Sequence, residues 1–260
     1  MKGMVKAIVA GVIITAIGIG LLLTGFALND WKFFEPKFEM QRFDATADNT
    51  AVDVDFGAGT LRIEYYDGEK IAIDYPVSNG FDADIFERDG KLFFETTKKW
   101  FTVNFGNWHI PETVIYLPRK VTFNLDFDMG AGIATLTSGT YGNISIEVGA
   151  GTLTATDIVC NAFSADVAAG MLTATDIVCN SFDADVSAGK LVADSLTSPD
   201  IDISVSAGYA EATINGAKSE YTIKASASAG SCNVSDQTGT TNKRLNADCS
   251  AGSIVIKFTA

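Results

Sequence analysis

The sequence predicts an all-β protein, a parallel β-solenoid with coils of about 19–22 residues, and three observations predict it. First, the dipeptide Ala-Gly recurs with its glycine at Gly132, Gly151, Gly170, Gly189, Gly208, Gly230 and Gly252, at steps of 19, 19, 19, 19, 22 and 22 residues. A short constant period means one structural unit stacked on the next. Second, apolar residues keep register with those glycines. Met129, Val148, Val167, Val186, Val205, Ala227 and Cys249 lie three residues before them, and Ala134, Leu153, Leu172, Leu191, Ala210, Cys232 and Ile254 two after. Third, the apolar positions alternate with Ser, Thr, Asp or Lys, the period of a half-buried strand. An immunoglobulin-like sandwich would not hold register to the residue across five repeats.

From the N-terminus, residues 1–28 read as a cytoplasmic tip and one transmembrane helix. Ala7 to Leu28 is a 22-residue run without a charge, long enough to cross ~30 Å of hydrocarbon. Lys2 and Lys6 precede it and Asn29 and Asp30 follow, so the positive-inside tendency places residues 29–260 outside the membrane. A cleaved signal peptide is the alternative, with small residues around Gly25-Phe26-Ala27, but such peptides have apolar cores of only ~7–15 residues. Residues 29–50 read as a juxtamembrane linker. Its Trp31, Phe33 and Phe34 suit either the membrane interface or packing on the first coil.

Residues 51–124 read as a first coil and an insertion. Val52, Val54 and Phe56 before Gly59, with Leu61 and Ile63 after it, reproduce the repeat frame. Strand-like runs follow at Ile71–Tyr75, Leu92–Thr96, Phe101–Phe105 and Val114–Leu117, with hairpin signals at Asp67-Gly68 and Asp89-Gly90. The expected arrangement is an antiparallel β insertion that caps the stack. Residues 125–260 are the solenoid proper. Each coil is strand, glycine corner, strand and loop, the glycine serving a tight corner or a left-handed backbone. Nineteen residues at ~3.3 Å each enclose a narrow tube with no room for a ligand cavity.

The formal charge is −13, from 19 basic and 32 acidic side chains. Setting aside Lys2 and Lys6 leaves 17 basic side chains and a net of −15 outside, which argues against nucleic acid and anionic polymers as partners. The acids follow the repeat. Asp55, Asp128, Glu147, Asp166, Asp185 and Asp248 stand four residues before their glycines, and the expected stack of carboxylates is either a solvated face or a place where Ca²⁺ relieves repulsion. The candidate ligands for such an ion are Asp128, Glu147, Asp166 and Asp185; no other cofactor is expected.

Catalytic chemistry is absent from the pattern. His109 is the only histidine, and no nucleophile elbow accompanies it. Carboxylate pairs alone would permit a two-acid glycosidase, but these acids follow coil geometry and a narrow solenoid has no deep cleft. Cys160 and Cys179 are one period apart and neighbours in a ladder, where a disulfide has awkward geometry. Cys232 and Cys249 read as core filling. Interaction chemistry concentrates instead in the insertion, where Trp100, Phe101 and Trp108 are the candidate partner-binding residues. The final strand, Ser253 to Ala260, with no successor to cover its edge, is the candidate for self-association into a homo-oligomer.

The segments Val52-Asp53-Val54-Asp55-Phe56-Gly57-Ala58-Gly59, Leu61-Arg62-Ile63-Glu64-Tyr65-Tyr66-Asp67-Gly68, Ile115-Tyr116-Leu117-Pro118 and Val148-Gly149-Ala150-Gly151-Thr152-Leu153 carry a resemblance. With them the chain resembles the bacterial "putative adhesin" family, a domain of unknown function that includes LiaG-like envelope surface proteins. The resemblance covers roughly residues 40–260 and implies a surface-exposed β-solenoid linked to envelope stress, with no catalytic residues to carry over. The function expected is therefore non-catalytic binding by a single-pass protein of the bacterial cell membrane, with an envelope component or protein as partner. A self-assembling scaffold is the alternative, and a glycan-active enzyme the remote one.

Overall fold

The computed structural model describes residues 37–78, 81–98 and 110–260. The expected anchor, Trp31, Phe33, Phe34, the run Phe101–Phe105, and Trp100, Trp108 and His109 lie outside them. Among the described residues no helix is long and apolar enough to cross a membrane.

The middle of the molecule is five coils. They are β8 (Phe123–Met129) with β9 (Ile133–Leu136), β10 (Gly139–Val148) with β11 (Thr152–Val159), β12 (Ala162–Val167) with β13 (Met171–Val178), β14 (Ser181–Val186) with β15 (Lys190–Thr197), and β16 (Asp200–Val205) with β17 (Tyr209–Ile214). The first strand of each coil joins one parallel sheet, sheet 1, and the second joins another, sheet 2. Pairing is residue to equivalent residue. Met129, Val148, Val167, Val186 and Val205 form one ladder, and Ala134, Leu153, Leu172, Leu191 and Ala210 another. Both ladders are buried, as their spacing predicts. Full burial of each such Val or Leu contributes about 1.5–3 kcal/mol. Phe163 and Phe182 stack at 5.4 Å in the same core.

The corner glycines answer to crowding more than to dihedral angle. Positive φ occurs in this series only at Gly59 and Gly132. Elsewhere the backbones of successive corners touch, and a Cβ on Gly189 would lie 2.5 Å from the carbonyl oxygen of Gly170 and 2.7 Å from Val167 Cγ1. A second corner escapes the sequence pattern. Asp157, Asp176 and Ser195 adopt φ of 54–58° inside the sheet 2 strands, a conformation that Asp tolerates better than most residues. The kink restores inward pointing one residue later, so Ile158, Ile177 and Leu196 are buried. At the return to sheet 1, side-chain amides stack: Asn161 donates to Asn143 (3.0 Å) and Asn180 to Asn161 (3.1 Å).

At both ends, chain order and stacking order part. β2 (Ala51–Phe56) pairs with β8 on one side and with β6 (Lys91–Lys98) on the other; β3 (Thr60–Tyr66) pairs with β9 and with β7 (Thr113–Pro118). All four pairings are parallel. Residues 51–66 are thus the second coil in space, and β6 with β7 makes the outermost one. The insertion is therefore only partly antiparallel: β5 (Phe81–Arg88) lies antiparallel on β6, β4 (Ala72–Val77) on β7, and β1 (Glu39–Asp44) on β4. Asp89-Gly90 makes the expected hairpin turn, both residues having positive φ. Asp67-Gly68 does not, because β7 lies between β3 and β4. Strand β1 falls in the stretch read as linker. It lacks alternation because all its residues except the half-buried Phe43 are exposed.

At the other end, β20 (Lys243–Cys249) and β21 (Ser253–Phe258) insert between β16/β17 and the earlier segments β18 (Tyr221–Ala227) and β19 (Ser231–Cys232). Burial sorts them. The last coil brings Leu245, Ala247, Cys249, Ile254 and Ile256 to a site covered on both sides, whereas β18 carries Ala225 and an exposed Ala227, and β19 has two residues. This corrects the expectation of an open final strand. β21 is paired by β19 at its start, and farther along the Asn233 side chain donates to the Ile256 carbonyl (2.8 Å) and accepts from its N–H (2.7 Å). The outer edge of β18 is closed by an antiparallel bridge of Ile223 to Gln237 and by Asp236, which accepts from the Ala225 N–H (2.9 Å).

Candidate binding surfaces

Because side chains alternate along each strand, sheet 1 sends its polar half outward in continuous rows. The row four residues before the glycines runs Asp84, Glu95, Asp55, Asp128, Glu147, Asp166, Asp185, one residue per strand. All seven are exposed. The four acids singled out from sequence stand in succession as expected. Asp84 and Glu95 extend the row, and they were missed because they lie on the hairpin outside the repeat. The geometry is a line along the coil axis, and among the described residues no three His, Cys, Asp or Glu side chains converge to hold a metal ion. In the neighbouring row Asp183 is raised from its usual value, first by burial and then by Asp202, Asp185 and Asp200.

The β5–β6 hairpin sets a different chemistry at the end of the neighbouring row. Antiparallel pairing places Phe86 opposite Phe93 on the outer face, and the rings stack at 4.7 Å, 8° from parallel. Arg88 lies 5.1 Å above Phe93 and 6.0 Å from Phe86. Lys91 lies 5.2 Å from the Phe93 ring and pairs with Asp53 at 2.6 Å and Asp126 at 3.7 Å. That pairing to Asp53 raises the Lys91 ammonium above its ordinary value. Phe86 remains 38 % exposed. The other described insertion aromatics divide as a half-buried sheet requires: Phe94 and Phe123 are in the core, and Tyr116 is half-buried under Arg42. The sequence pointed to this insertion but not to this pair, because the contact depends on the hairpin register.

Among the described residues the interior leaves room for no ligand. The void among Leu61, Ile63, Leu125, Phe127 and Ala134 measures about 10 Å³, the room of a single water. An open cleft of about 360 Å³ lies between Tyr65, Arg119, Ser138, Thr140 and Asp157. Tyr65 there donates to the Thr140 carbonyl at 2.6 Å, and burial pushes its phenol up to about 12. All four cysteines are free thiols. The hydrogen bond to Cys179, reinforced by burial, raises the Cys160 thiol.

No curated protein matches the chain. Solved structures are similar to the chain at low identity. A "putative lipid binding protein" of Parabacteroides distasonis is 14 % identical, with 85 % of this chain and 96 % of that one covered at a TM-score of 0.52. A "putative adhesin" of Bacteroides fragilis is 11 % identical over 85 % and 97 % (TM-score 0.46), and a "putative cell adhesion protein" of Clostridium sporogenes 17 % over 86 % and 100 % (TM-score 0.38). A family model described as Toastrack DUF4097 matches residues 49–259. That stretch contains every coil and both caps from β2 onward, and with it the chain belongs to the Toastrack DUF4097 family.

Proposed function

We propose that this protein is a non-catalytic binding module held at the outer face of the bacterial cell membrane by its N-terminal segment, acting in surface adhesion or envelope stress. The observation that carries the reading is the distribution of chemistry. The interior is filled by hydrophobic ladders, and the β5–β6 hairpin sets a stacked aromatic pair on the outer face with Arg88 and Lys91 beside it. Stacked aromatics beside Arg are the residue types of interaction hot spots. The apolar run Ala7–Leu28 behind Lys2 and Lys6 supports the anchor. The names of the solved relatives, adhesins and a lipid-binding protein among them, agree with a binding role. End-to-end assembly is less well supported, since side chains close the C-terminal edges.

Two measurements test the proposal. N-terminal sequencing of protein from its native membrane is expected to return the uncleaved chain; a mature terminus near Leu28 would remove the anchor. Crosslinking on intact cells, compared between wild type and Phe86→Ala/Phe93→Ala, is expected to lose the captured partner in the variant at unchanged melting temperature. Capture that survives the change places the binding site elsewhere.

A further inference from the structure

The outer face of sheet 2 is unlike the rest of this acidic molecule. In the three coils β8/β9, β10/β11 and β12/β13, its outward rows are Ile133, Thr152, Met171; then Thr135, Thr154, Thr173; then Thr156, Thr175; then Val159, Val178. These rows carry no charge; the exposed Asp157 and Asp176, stacked on the kink between the last two rows, are the only charges inside the patch. Arg62 and Glu64 bound the patch on one side and Lys190 and Asp194 on the other. Four of the six large apolar side chains exposed among the described residues are here: Ile133 at 56 %, Val159 at 48 %, Val178 at 45 % and Met171 at 38 %.

Resting on the binding role proposed above, we infer that this face is a docking surface for a neutral polysaccharide chain laid along the solenoid axis. Size, charge and repeat decide the occupant. Three coils at ~4.8 Å and eight residues at ~3.3 Å make a patch on the order of 350 Å², well below the ~800 Å² per partner of a stable protein interface. The patch is the size of a thin extended ligand and smaller than a stable dimer interface. Rows without charge beside a single aspartate pair, on a domain of strong negative charge, repel a polyanion and favour an uncharged ligand. A sugar ring presents an apolar face and a hydroxyl rim, matched by the methyl and hydroxyl of each threonine. Such side chains are stiff at χ1, so little rotamer freedom is lost on binding. Translation from coil to coil repeats the same groups, so a polymer that repeats by translation meets them on two or three successive coils.

The test is co-sedimentation of the full-length protein in detergent with microcrystalline cellulose and with chitin, two uncharged glycans. Wild type is expected to be retained by at least one of them, in low and high salt alike. Thr154→Glu/Thr173→Glu is expected to weaken retention by about tenfold or more, Thr154→Val/Thr173→Val by less, and Ser164→Glu on sheet 1 not at all, with melting temperatures unchanged. Retention by neither glycan, equal retention of the Glu variant, or a wild-type dimer that the Glu variant dissociates would each overturn the inference. Retention that Phe86→Ala/Phe93→Ala abolishes while Thr154→Glu/Thr173→Glu leaves it intact would overturn it too, leaving the binding role at the hairpin standing.

Discussion

The middle coils and the two ends of this solenoid obey the same local code and different global rules. Between Leu125 and Val205 every ladder position of sheet 1 has an equivalent above and below it, so each inward side chain there is buried by its own copies. At the ends one neighbour is missing, and the chain compensates with antiparallel strands, side-chain mimics of a strand and an altered stacking order. The lesson is that a repeat position has no fixed energetic value; its worth depends on being covered from both sides.

The sharpest break of that comparison uses one column at two heights. Val186 is 2 % exposed, and Val186→Asp would bury an unpaired carboxylate or force it to stay protonated, a loss of about 4 kcal/mol or more. Ala227 occupies the same column at the end and is exposed, so Ala227→Asp is expected to move urea-unfolding stability by less than about 0.5 kcal/mol. Similar losses at both would show that the terminal coil is buried after all.

The corner glycines give the next effect. Gly189→Ala drives a methyl against the Gly170 carbonyl and is expected to cost about 1–3 kcal/mol. Ser187→Ala, two residues earlier on an exposed position, is expected to be neutral by the same measurement. At the C-terminal end, Asn233→Ala removes the two bonds that its side chain lends to Ile256. A loss of about 1–2 kcal/mol follows, together with concentration-dependent association seen by light scattering, because a strand edge has been opened. A variant that stays monomeric with unchanged stability would show that the amide is dispensable.

The smallest effect is electrostatic. Asp183 is raised in the folded protein by burial and then by its acidic neighbours, so the folded state holds this proton more tightly than the unfolded chain. The penalty is present above the folded-state value and is relieved as pH falls through it. Asp183→Asn is expected to raise stability at pH 7 by under about 1 kcal/mol for so exposed a group, seen as a slightly higher melting temperature, and to lose the advantage in acid. An equal gain at both pH values would assign it to something other than charge.

Much of the candidate surface chemistry was legible for the same reason as the ladders. The row through Asp128, Glu147, Asp166 and Asp185 follows from alternation and period alone. Asp84 and Glu95 join it only through the hairpin register, and Phe86 meets Phe93 only there. The kink at Asp157 and Asp176 has no sequence mark, since a single left-handed Asp looks like any other outward polar residue. The amide ladder of Asn143, Asn161 and Asn180 was equally silent, its members being 18 and 19 residues apart in loops that the strand pattern does not cover.

By itself the sequence determined which way the side chains flanking each glycine corner point, because inward and outward are decided there by period two and copied every 19 residues; past the kink at Asp157 and Asp176 the structure decided it. It determined the narrow, filled interior and the carboxylate row as consequences. Only the tertiary structure decided the order in which coils stack. That order compares whole coils for how much apolar surface each must hide, placing Leu245, Cys249, Ile254 and Ile256 inside and Ala225, Ala227 and the two-residue β19 at the end. A competition between distant segments for the same covered site leaves no trace in the local pattern of either.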